Sequence, residues 1–524
     1  MVGKTSGERS TASQPPKAGR KEWIGLGVIA LPCLLYSMDL TVLNLAIPRI
    51  VADLKPSATQ LLWIVDVYGF MIAGALITMG TLGDRIGRRK LLLIGAFMFG
   101  VTSILAAFST SPEMLILSRA LLGLSGATLA PSTLSLISNM FPDPKERTFA
   151  IGVWISSFSA GGAVGPVLGG VLLNWFWWGS VFLIAVPVMI LLLAVGPWLL
   201  PEYRDEKAGR IDLLSAAMSL IAVLAVIYGI KHAAAAGLDL TAVVAIIVGF
   251  AIGFAFVRRQ LRLTDPLIDL ELFRRPAFSA ALGINLIGIF AAFGSFLLTA
   301  QYLQFVLGLS PLAAGVASLP SALGFIIGSM LAPRLTQHFA APQVMAAGYA
   351  AAALSFVVLA WATSGASLWL LVTATLIMSL GLAPVFTLAT DLIVSSVPPQ
   401  RAGIASGLSE TSTEFGGALG IALLGSAVTI AYGAAMSGVD MAGLGEAGAA
   451  AARETIGGAL EQATALGGEA GSALATEARD AFGAAFRIVS LACAALSLLA
   501  ALVALFWLGR DSAQHENCAD ASPS

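Results

Sequence analysis

The chain has 524 residues, of which 57% are hydrophobic and 11% are charged, and its formal net charge is −1. A soluble domain is about 25% charged and a single soluble core stops growing at about 300 residues, so these values exclude a soluble enzyme, a nucleic-acid-binding protein and a disordered protein as descriptions of the whole chain. The three cysteines and three histidines are scattered, without the spacing of a disulfide framework or a metal site.

Hydrophobic runs of about 20 residues or more predict fourteen membrane-spanning helices. In chain order they cover 23–48, 60–82, 91–110, 113–138, 147–173, 179–200, 211–231, 240–259, 277–306, 311–333, 343–363, 367–395, 402–432 and 481–508. The first run lacks a small-residue cleavage site and is expected to be retained. An even number of spans puts both termini on one side. If that side is the cytoplasm, 22 of the 29 Lys and Arg residues lie inside, as the positive-inside rule requires.

The loop after the second span, GTLGDRIGRRK at residues 80–90, combines glycines with charged side chains. Gly80 and Gly87 permit a tight turn and a close approach of helices. Asp84 can accept hydrogen bonds at a helix end, and Arg85 and Arg88 can pair with it or with helix C-termini. Taken alone, these residues are equally consistent with a positively charged loop that has no further role.

The fourth and fifth spans each carry an unusual feature. Arg119 lies alone inside span four, where a charge is costly and is normally functional or paired. Gly161, Gly165 and Gly169 recur every four residues in span five and form one smooth helix face for close packing, while Pro166 permits a kink. The alternative is a tightly packed helix pair with no role in transport.

Few acidic residues lie inside the predicted spans, and a charge at the membrane centre costs about 2.5–3.5 kcal/mol. Glu410 and Glu414 in span thirteen share a helix face, so two close carboxylates can hold a lipophilic cation or a proton. Alternatively, each bonds a neighbouring Ser or Thr. Asp66 is either a site residue or a solvated residue at the mouth. Asp391 is expected to cap a helix or to form a salt bridge between bundles.

Aromatic side chains close to these acids can stack on a cation, although plain packing is the alternative. The candidates are Tyr36, Trp63, Trp154, Phe158, Phe290 and Phe293. Residues 433–480 are rich in Ala and Gly, but good helix formers and an apolar stripe predict one or two helices against the membrane face. The acids of this segment either collect cations or form a solvated surface.

The motifs together resemble the major facilitator superfamily. Residues 80–90 match its G-x-L-x-D-R-x-G-R-[RK] signature, and residues 161–170 resemble its antiporter motif. Residues 38–48 and 62–68, with the fourteen spans, resemble the 14-helix drug:proton antiporter branch. The loop around Arg334 in the second half lacks the Asp and the basic run of the first signature.

The resemblance implies an all-α polytopic fold of two six-helix bundles plus two inserted helices, with both termini cytoplasmic. The expected divisions are a tail at 1–22, a first bundle at 23–200, the inserted pair and linker at 201–276, a second bundle at 277–508 that includes the outside loop 433–480, and a tail at 509–524.

The implied function is proton-coupled export of lipophilic cations, such as quaternary ammonium compounds, dyes and biocides, by alternating access in the inner membrane. The expected partners are the bilayer, the drug and protons, with no nucleic acid, no cofactor beyond the proton gradient, and a monomeric state. An enzyme is disfavoured, because no nucleophile–base pair or metal cluster is evident. The alternative is an exporter of one antibiotic or metabolite.

The expected roles of the candidate residues fall into three groups. Proton coupling is assigned to Asp39, Asp66, Arg119 and Glu414. Substrate binding is assigned to Glu410, Glu414, Asp66, Tyr36, Trp63, Phe158, Phe290 and Phe293. Conformational change is assigned to Gly80, Asp84, Arg85, Gly87, Arg88, Gly161, Gly165, Pro166 and Gly169.

Overall fold

The computed structural model describes residues 16–204, 212–237, 239–263, 266–365, 367–439, 441 and 443–508. Most of the predicted first tail, all of the last tail, part of the linker and Asp440 of the predicted outside loop lie outside these residues. Within them, fourteen helices are long and apolar enough to cross a membrane, which confirms the predicted number.

The spanning helices fall into two sets of six with a pair between them. The first set is α1 (Arg20–Leu54), α2 (Ala58–Ile86), α3 (Arg88–Ala107), α4 (Pro112–Met140), α5 (Pro144–Trp175) and α6 (Ala185–Leu199), with a short helical turn, Ser180–Leu183, before α6. The inserted pair is α7 (Leu213–Ala236) and α8 (Leu240–Gln260).

The second set follows a 3-10 turn, Leu270–Arg274. It is formed by α9 (Pro276–Gln301) with a π-helical extension (Tyr302–Val306), α10 (Pro311–Leu335), α11 (Ala341–Gly365), α12 (Leu368–Ser395), α13 (Ala402–Met436) and the last spanning helix, α16 (Gly468–Val503), with a π-helical extension (Ala504–Leu508). Between α13 and α16 lie two shorter helices, α14 (Glu446–Glu454) and α15 (Ile456–Leu466).

The same pattern of helix contacts occurs in both sets. α1 packs on α5 and α2 on α4, and in the second set α9 packs on α13 and α10 on α12. The two bundles meet along two seams, one between α2 and α13 and the other between α5 and α10. The architecture is therefore two equivalent six-helix bundles plus an inserted pair, as expected. The residue boundaries proposed for the divisions stay a prediction.

Local sequence explains where several helices begin. Ser57 caps α2 and Ser310 caps α10 by accepting hydrogen bonds from backbone N–H groups of the first turn. Asp143 caps α5 by accepting from Lys145 and Glu146 at 2.9 and 3.0 Å. These caps fix the ends of helices at the membrane surface.

The loop helices α14 and α15 confirm the prediction of one or two helices in residues 433–480. The Tyr432 hydroxyl of α13 donates a hydrogen bond to the Ala452 carbonyl of α14 at 2.9 Å. The last span was predicted to begin at residue 481, but α16 begins at Gly468. Its helix continues beyond the apolar run because residues 469–480 are mostly good helix formers.

The inserted pair and the segment after it are tied together and to the first bundle. Asp212 accepts hydrogen bonds from Ser215 and Arg259, and these bonds lower the pKa of the Asp212 carboxyl group. The Gln260 side chain accepts a hydrogen bond from the backbone N–H of Leu267 at 2.6 Å. The Leu267 carbonyl in turn accepts a hydrogen bond from Thr81 of α2 at 3.2 Å, so this segment is held against the first bundle.

Candidate functional site

The two acids of α13 lie where the second bundle faces the first. Glu410 is 7% exposed and Glu414 is half-buried. The Tyr36 hydroxyl of α1 donates a hydrogen bond to Glu414 Oε1 at 2.7 Å. The acid pair is therefore in direct contact with the other bundle.

Three hydroxyl groups between the two acids are engaged elsewhere. Thr411 and Thr413 donate to backbone carbonyls of their own helix at 2.8 and 3.1 Å. Ser412 donates to the Leu282 carbonyl at 3.4 Å. These bonds leave little support for the alternative that the two glutamates simply satisfy adjacent Ser and Thr side chains.

An aromatic group surrounds the hydrogen bond between the bundles. The Tyr36 ring packs edge-on against Phe158 with centroids 5.5 Å apart, and Phe158 packs against Trp154 at 4.8 Å. Trp154 is fixed by donating from Nε1 to the Thr133 hydroxyl at 2.9 Å. The structure thus brings Tyr36 and Phe158, two of the candidate aromatic residues, together beside an acid.

The other predicted aromatic residues have different neighbours. The Phe293 ring, 45% exposed, lies along Gly417 of α13, and the Phe290 backbone lies against Gly420. Trp63 is 40% exposed and stacks on Tyr228 of α7 with centroids 6.2 Å apart. Trp63 therefore contacts the inserted pair. Asp66, which was assigned with Trp63 to substrate binding, is half-buried on the same helix.

A buried ion pair lies within the first bundle. Arg119 Nη1 is 3.0 Å from Asp39 Oδ2, and the Arg119 side chain is fully buried while Asp39 is 14% exposed. The guanidinium lies over the rings of Tyr68 and Phe182, 5.0 and 5.8 Å from their centroids. Its Nε and Nη2 atoms have no hydrogen-bond partner among the described residues. A cavity of about 10 Å³ beside Asp39 has room for about one water molecule.

Tyr68 connects this ion pair to the acids of α13. Its ring lies under Arg119, and its hydroxyl donates to the Tyr36 carbonyl at 3.4 Å. Tyr36 then bonds Glu414. The contacts run without a gap from Asp39 in one bundle to Glu414 in the other. Tyr68 was given no role from the sequence, although a tyrosine two residues after Asp66 in an apolar span was a signal for it.

At the end of the molecule where α2 joins α3, called the α2–α3 end below, Asp84 joins α2 to α13. Its carboxylate accepts hydrogen bonds from the backbone N–H groups of Gly403 and Ile404, both at 3.0 Å. It also forms a salt bridge with Arg88 at 2.8 Å. An anion is favoured at the start of a helix by the free N–H groups and the helix dipole. The expected hydrogen bonding of Asp84 at a helix end is confirmed.

Glycine allows this contact to form. A Cβ atom at Gly80 would collide with the Gly403 carbonyl oxygen, so the two backbones touch. Gly87 has a φ of 109°, a conformation that favours glycine. Arg85 is half-buried at the end of α2. The amide partners of Asp84 were not foreseen, although the prolines at 398–399 mark a helix start.

A second contact between the bundles lies at the same end. Asp391 of α12 is 2.7 Å from Arg147 Nε of α5 and accepts a hydrogen bond from the Thr148 hydroxyl at 2.6 Å. The expectation of an inter-bundle salt bridge at Asp391 is confirmed. At the α2–α3 end the bundles are therefore joined both through α2 and α13 and through α5 and α12.

The glycine stripe of span five lies against α1. Cβ atoms at Gly161 and Gly165 would collide with the Leu34 carbonyl and the Thr41 hydroxyl, respectively, and one at Gly169 would lie 2.9 Å from a Val42 methyl group. Pro166 lies within the helix between these positions. Close packing of α1 on α5 fixes the position of the helix that carries Tyr36 and Asp39.

The family model described as Major Facilitator Superfamily matches residues 29–421. The chain is 42% identical to the multidrug efflux pump LfrA of Mycolicibacterium smegmatis, over 95% of this chain and 97% of the relative. It is 34% identical to the methyl viologen resistance protein SmvA of Salmonella typhimurium, over 88% and 93%.

Two further similarities extend this result. The chain is 32% identical to the tetracenomycin C resistance and export protein of Streptomyces glaucescens, over 97% of this chain and 96% of the relative. The solved structure of the human organic anion transporter MFSD10 (TETRAN) superimposes with a TM-score of 0.61 at 16% identity, covering 94% of this chain and all of the other. The second likeness concerns the fold alone.

Proposed function

The chain belongs to the Major Facilitator Superfamily, and we propose that it is an efflux pump that exchanges protons for lipophilic cations. It is a transporter rather than an enzyme, and a multi-pass protein of the inner membrane. Drug export as its function is supported by two relatives that align over most of their length. One is named for multidrug efflux and the other for methyl viologen resistance.

The observation that carries the proposal is the acid pair of α13. Glu410 is buried in a membrane-spanning helix, and Glu414, one turn away, faces aromatic residues of the other bundle. A carboxylate in this setting is energetically costly, so its presence indicates a function. An organic cation can neutralise the charge of the carboxylate and stack on the faces of nearby aromatic rings.

The Asp39–Arg119 pair is the proposed site of proton coupling. When Asp39 takes up a proton, its salt bridge with Arg119 is lost and the buried guanidinium needs new partners. Tyr68 lies under that guanidinium and touches the helix that carries Tyr36. Proton binding at Asp39 is thereby linked to the hydrogen bond that Tyr36 makes with Glu414.

The two bundles and their closed end support alternating access. The placement of Lys and Arg residues supports a cytoplasmic location of the α2–α3 end. Release of a substrate to the outside then occurs with this end closed, and loading requires that the Asp84 and Asp391 contacts break. The site lies between the bundles, as in other transporters built from repeats.

A second candidate function is export of a single compound. One similar protein is named for tetracenomycin C alone and another for puromycin. Competition separates the two: chemically unrelated cations inhibit transport by a multidrug pump, and a narrow exporter ignores most of them.

The proposal is tested in proteoliposomes that contain the purified chain. An inward proton gradient is expected to drive ethidium in the opposite direction. Glu410→Gln is expected to lower the initial rate by about tenfold to hundredfold, since interactions with a charged group contribute about 1.5–3 kcal/mol. Asp39→Asn is expected to abolish the response to the gradient and to retain ethidium binding.

Glu461→Gln is the matched control, because Glu461 is exposed on α15. It is expected to transport like the parent chain. Unchanged gradient-driven transport in both Glu410→Gln and Asp39→Asn would overturn the site assignment.

A further inference from the structure

A groove at the α2–α3 end lies outside the site described above. It has a volume of about 240 Å³ and is formed where the start of α1, the start of α5 and the end of α10 come together. The residues that line it are Trp23, Lys145, Glu146, Phe149, Met330, Pro333, Arg334 and Gln337. It therefore spans the seam between the two bundles.

The groove is positively charged. Lys145 comes from the first bundle and Arg334 from the second, and both side chains are exposed. Neither forms a salt bridge within the described part of the chain. The one acid of the lining, Glu146, accepts a hydrogen bond from the backbone N–H of Ala18 at 2.7 Å. That bond holds the chain before α1, including exposed Lys17, beside the groove.

The position along the helices places the groove at the membrane surface. Trp23 is in the first turn of α1, Lys145 is in the first turn of α5 and Arg334 is in the last turn of α10. Tryptophan is enriched at the headgroup level, where one side is apolar and the other is hydrated. Trp23 packs on Phe149 with centroids 5.7 Å apart, so the aromatic wall of the groove is fixed.

An apolar strip leads from the groove towards the middle of the membrane. Leu323, Ile327 and Leu331 of α10 are 58, 51 and 36% exposed, and they lie at helical spacing on the side that ends at Arg334. The lining residue Met330 lies between them. A ligand with a negative head and a hydrocarbon tail matches this arrangement at both ends.

We propose that the groove binds the headgroup of an anionic phospholipid, with Lys145 and Arg334 on its phosphate and an acyl chain along α10. Basic pockets between spanning helices at the cytoplasmic surface suit such headgroups. Because the two cations belong to different bundles, the lipid bridges the α5–α10 seam. It stabilises the conformation in which this end is closed.

The proposal is tested with the full chain purified in neutral detergent. Its thermal unfolding is followed during titration with phosphatidylglycerol, with phosphatidylcholine of the same chain length, and with inorganic phosphate. Phosphatidylglycerol is expected to raise the melting temperature in a saturable way, and the other two are not. The double variant Lys145→Gln/Arg334→Gln is expected to weaken the apparent affinity about tenfold or more.

Arg262→Gln/Arg274→Gln is the matched control, since both arginines are exposed and lie outside the groove. It removes the same charge and is expected to bind the lipid like the parent chain. Lys145→Arg/Arg334→Lys is expected to restore binding, which separates loss of charge from misfolding. Equal weakening in the two double glutamine variants, equal effects of the two lipids, or full stabilisation by inorganic phosphate would each overturn the proposal.

Discussion

Glu414 is held in the closed structure by a neutral donor, the Tyr36 hydroxyl. We expect a substrate cation that binds Glu414 to replace this hydrogen bond. The phenol partners this half-buried carboxylate while no drug is present, which limits the cost of removing it from water. Tyr36 is in this respect a competitor of the substrate as well as a neighbour of it.

Tyr36→Phe is expected to lower the KM for ethidium about threefold to tenfold, because a hydrogen bond contributes about 0.5–1.5 kcal/mol and no longer has to be displaced. The ring that packs on Phe158 is kept. Initial transport rates in proteoliposomes over a range of ethidium concentrations measure the effect.

Tyr432→Phe is the control, because its hydroxyl bonds the Ala452 carbonyl away from the acid pair. It is expected to leave the KM unchanged. A higher KM in Tyr36→Phe would mean that the hydroxyl binds the substrate itself, contrary to the competition described here.

At the residue scale, the sequence did not predict side-chain contacts between residues that are far apart along the chain. The acids and the aromatic residues were recognised from their type and their place in apolar runs. The partner of Glu414 was not, because Tyr36 lies 378 residues away and no periodicity relates them. Trp63 shows the same limit: it was grouped with the acids, and it stacks on Tyr228 of the inserted pair.

At the scale of elements, prediction from sequence was much more successful. Membrane spans follow from hydropathy because every backbone group has to be bonded within its own helix. The fourteen predicted spans therefore agree with the fourteen helices to within a few residues at most ends. The start of α16 differs from the predicted start because hydropathy indicates only where the apolar, lipid-facing segment begins. The helix itself begins earlier in the chain, outside that segment.

The contact of α2 with α13 depends on the absence of side chains. Gly80→Val is expected to prevent closure of the α2–α3 end, because its side chain would meet the Gly403 backbone. Ser406 of α13 is fully buried in the closed state. In a Ser406→Cys background, Gly80→Val is expected to raise several-fold the rate at which a thiol reagent, added on the side of the α2–α3 end, labels the introduced thiol.

Gly69→Val provides a control on the same helix, since a Cβ at Gly69 would meet nothing within 4 Å. It is expected to leave labelling unchanged. If Gly80→Val labels no faster than this control, the glycine contact does not govern closure.

At the scale of the whole molecule, the proposed transport cycle uses two acidic sites. The Asp39–Arg119 pair lies in one bundle, and the Glu410–Glu414 pair lies in the other. In the proposed cycle each pair carries one proton and releases it when Arg119, in the first case, or the substrate, in the second, becomes the partner of the carboxylate. We therefore expect two protons to enter for each monovalent cation that leaves.

This stoichiometry moves one net charge per cycle, which is worth about 2.3 kcal/mol per 100 mV. A potassium diffusion potential of about 100 mV, without a pH gradient, is expected to drive about 50-fold accumulation of ethidium. Measuring accumulation as the potential is varied checks this. An exchange of one proton for one cation would be indifferent to the potential.

The inserted pair has a mechanical consequence for such a cycle. α7 rests on Phe70 and Ala73 of α2 and, at the same time, on Phe415 and Ala418 of α13. In the proposed cycle those two helices belong to bundles that rock against each other, so α7 cannot travel with both. One of its two faces has to slip in every cycle, and apolar surfaces can slide without breaking directional bonds. We therefore expect the pair to act as a sliding contact at the seam between α2 and α13.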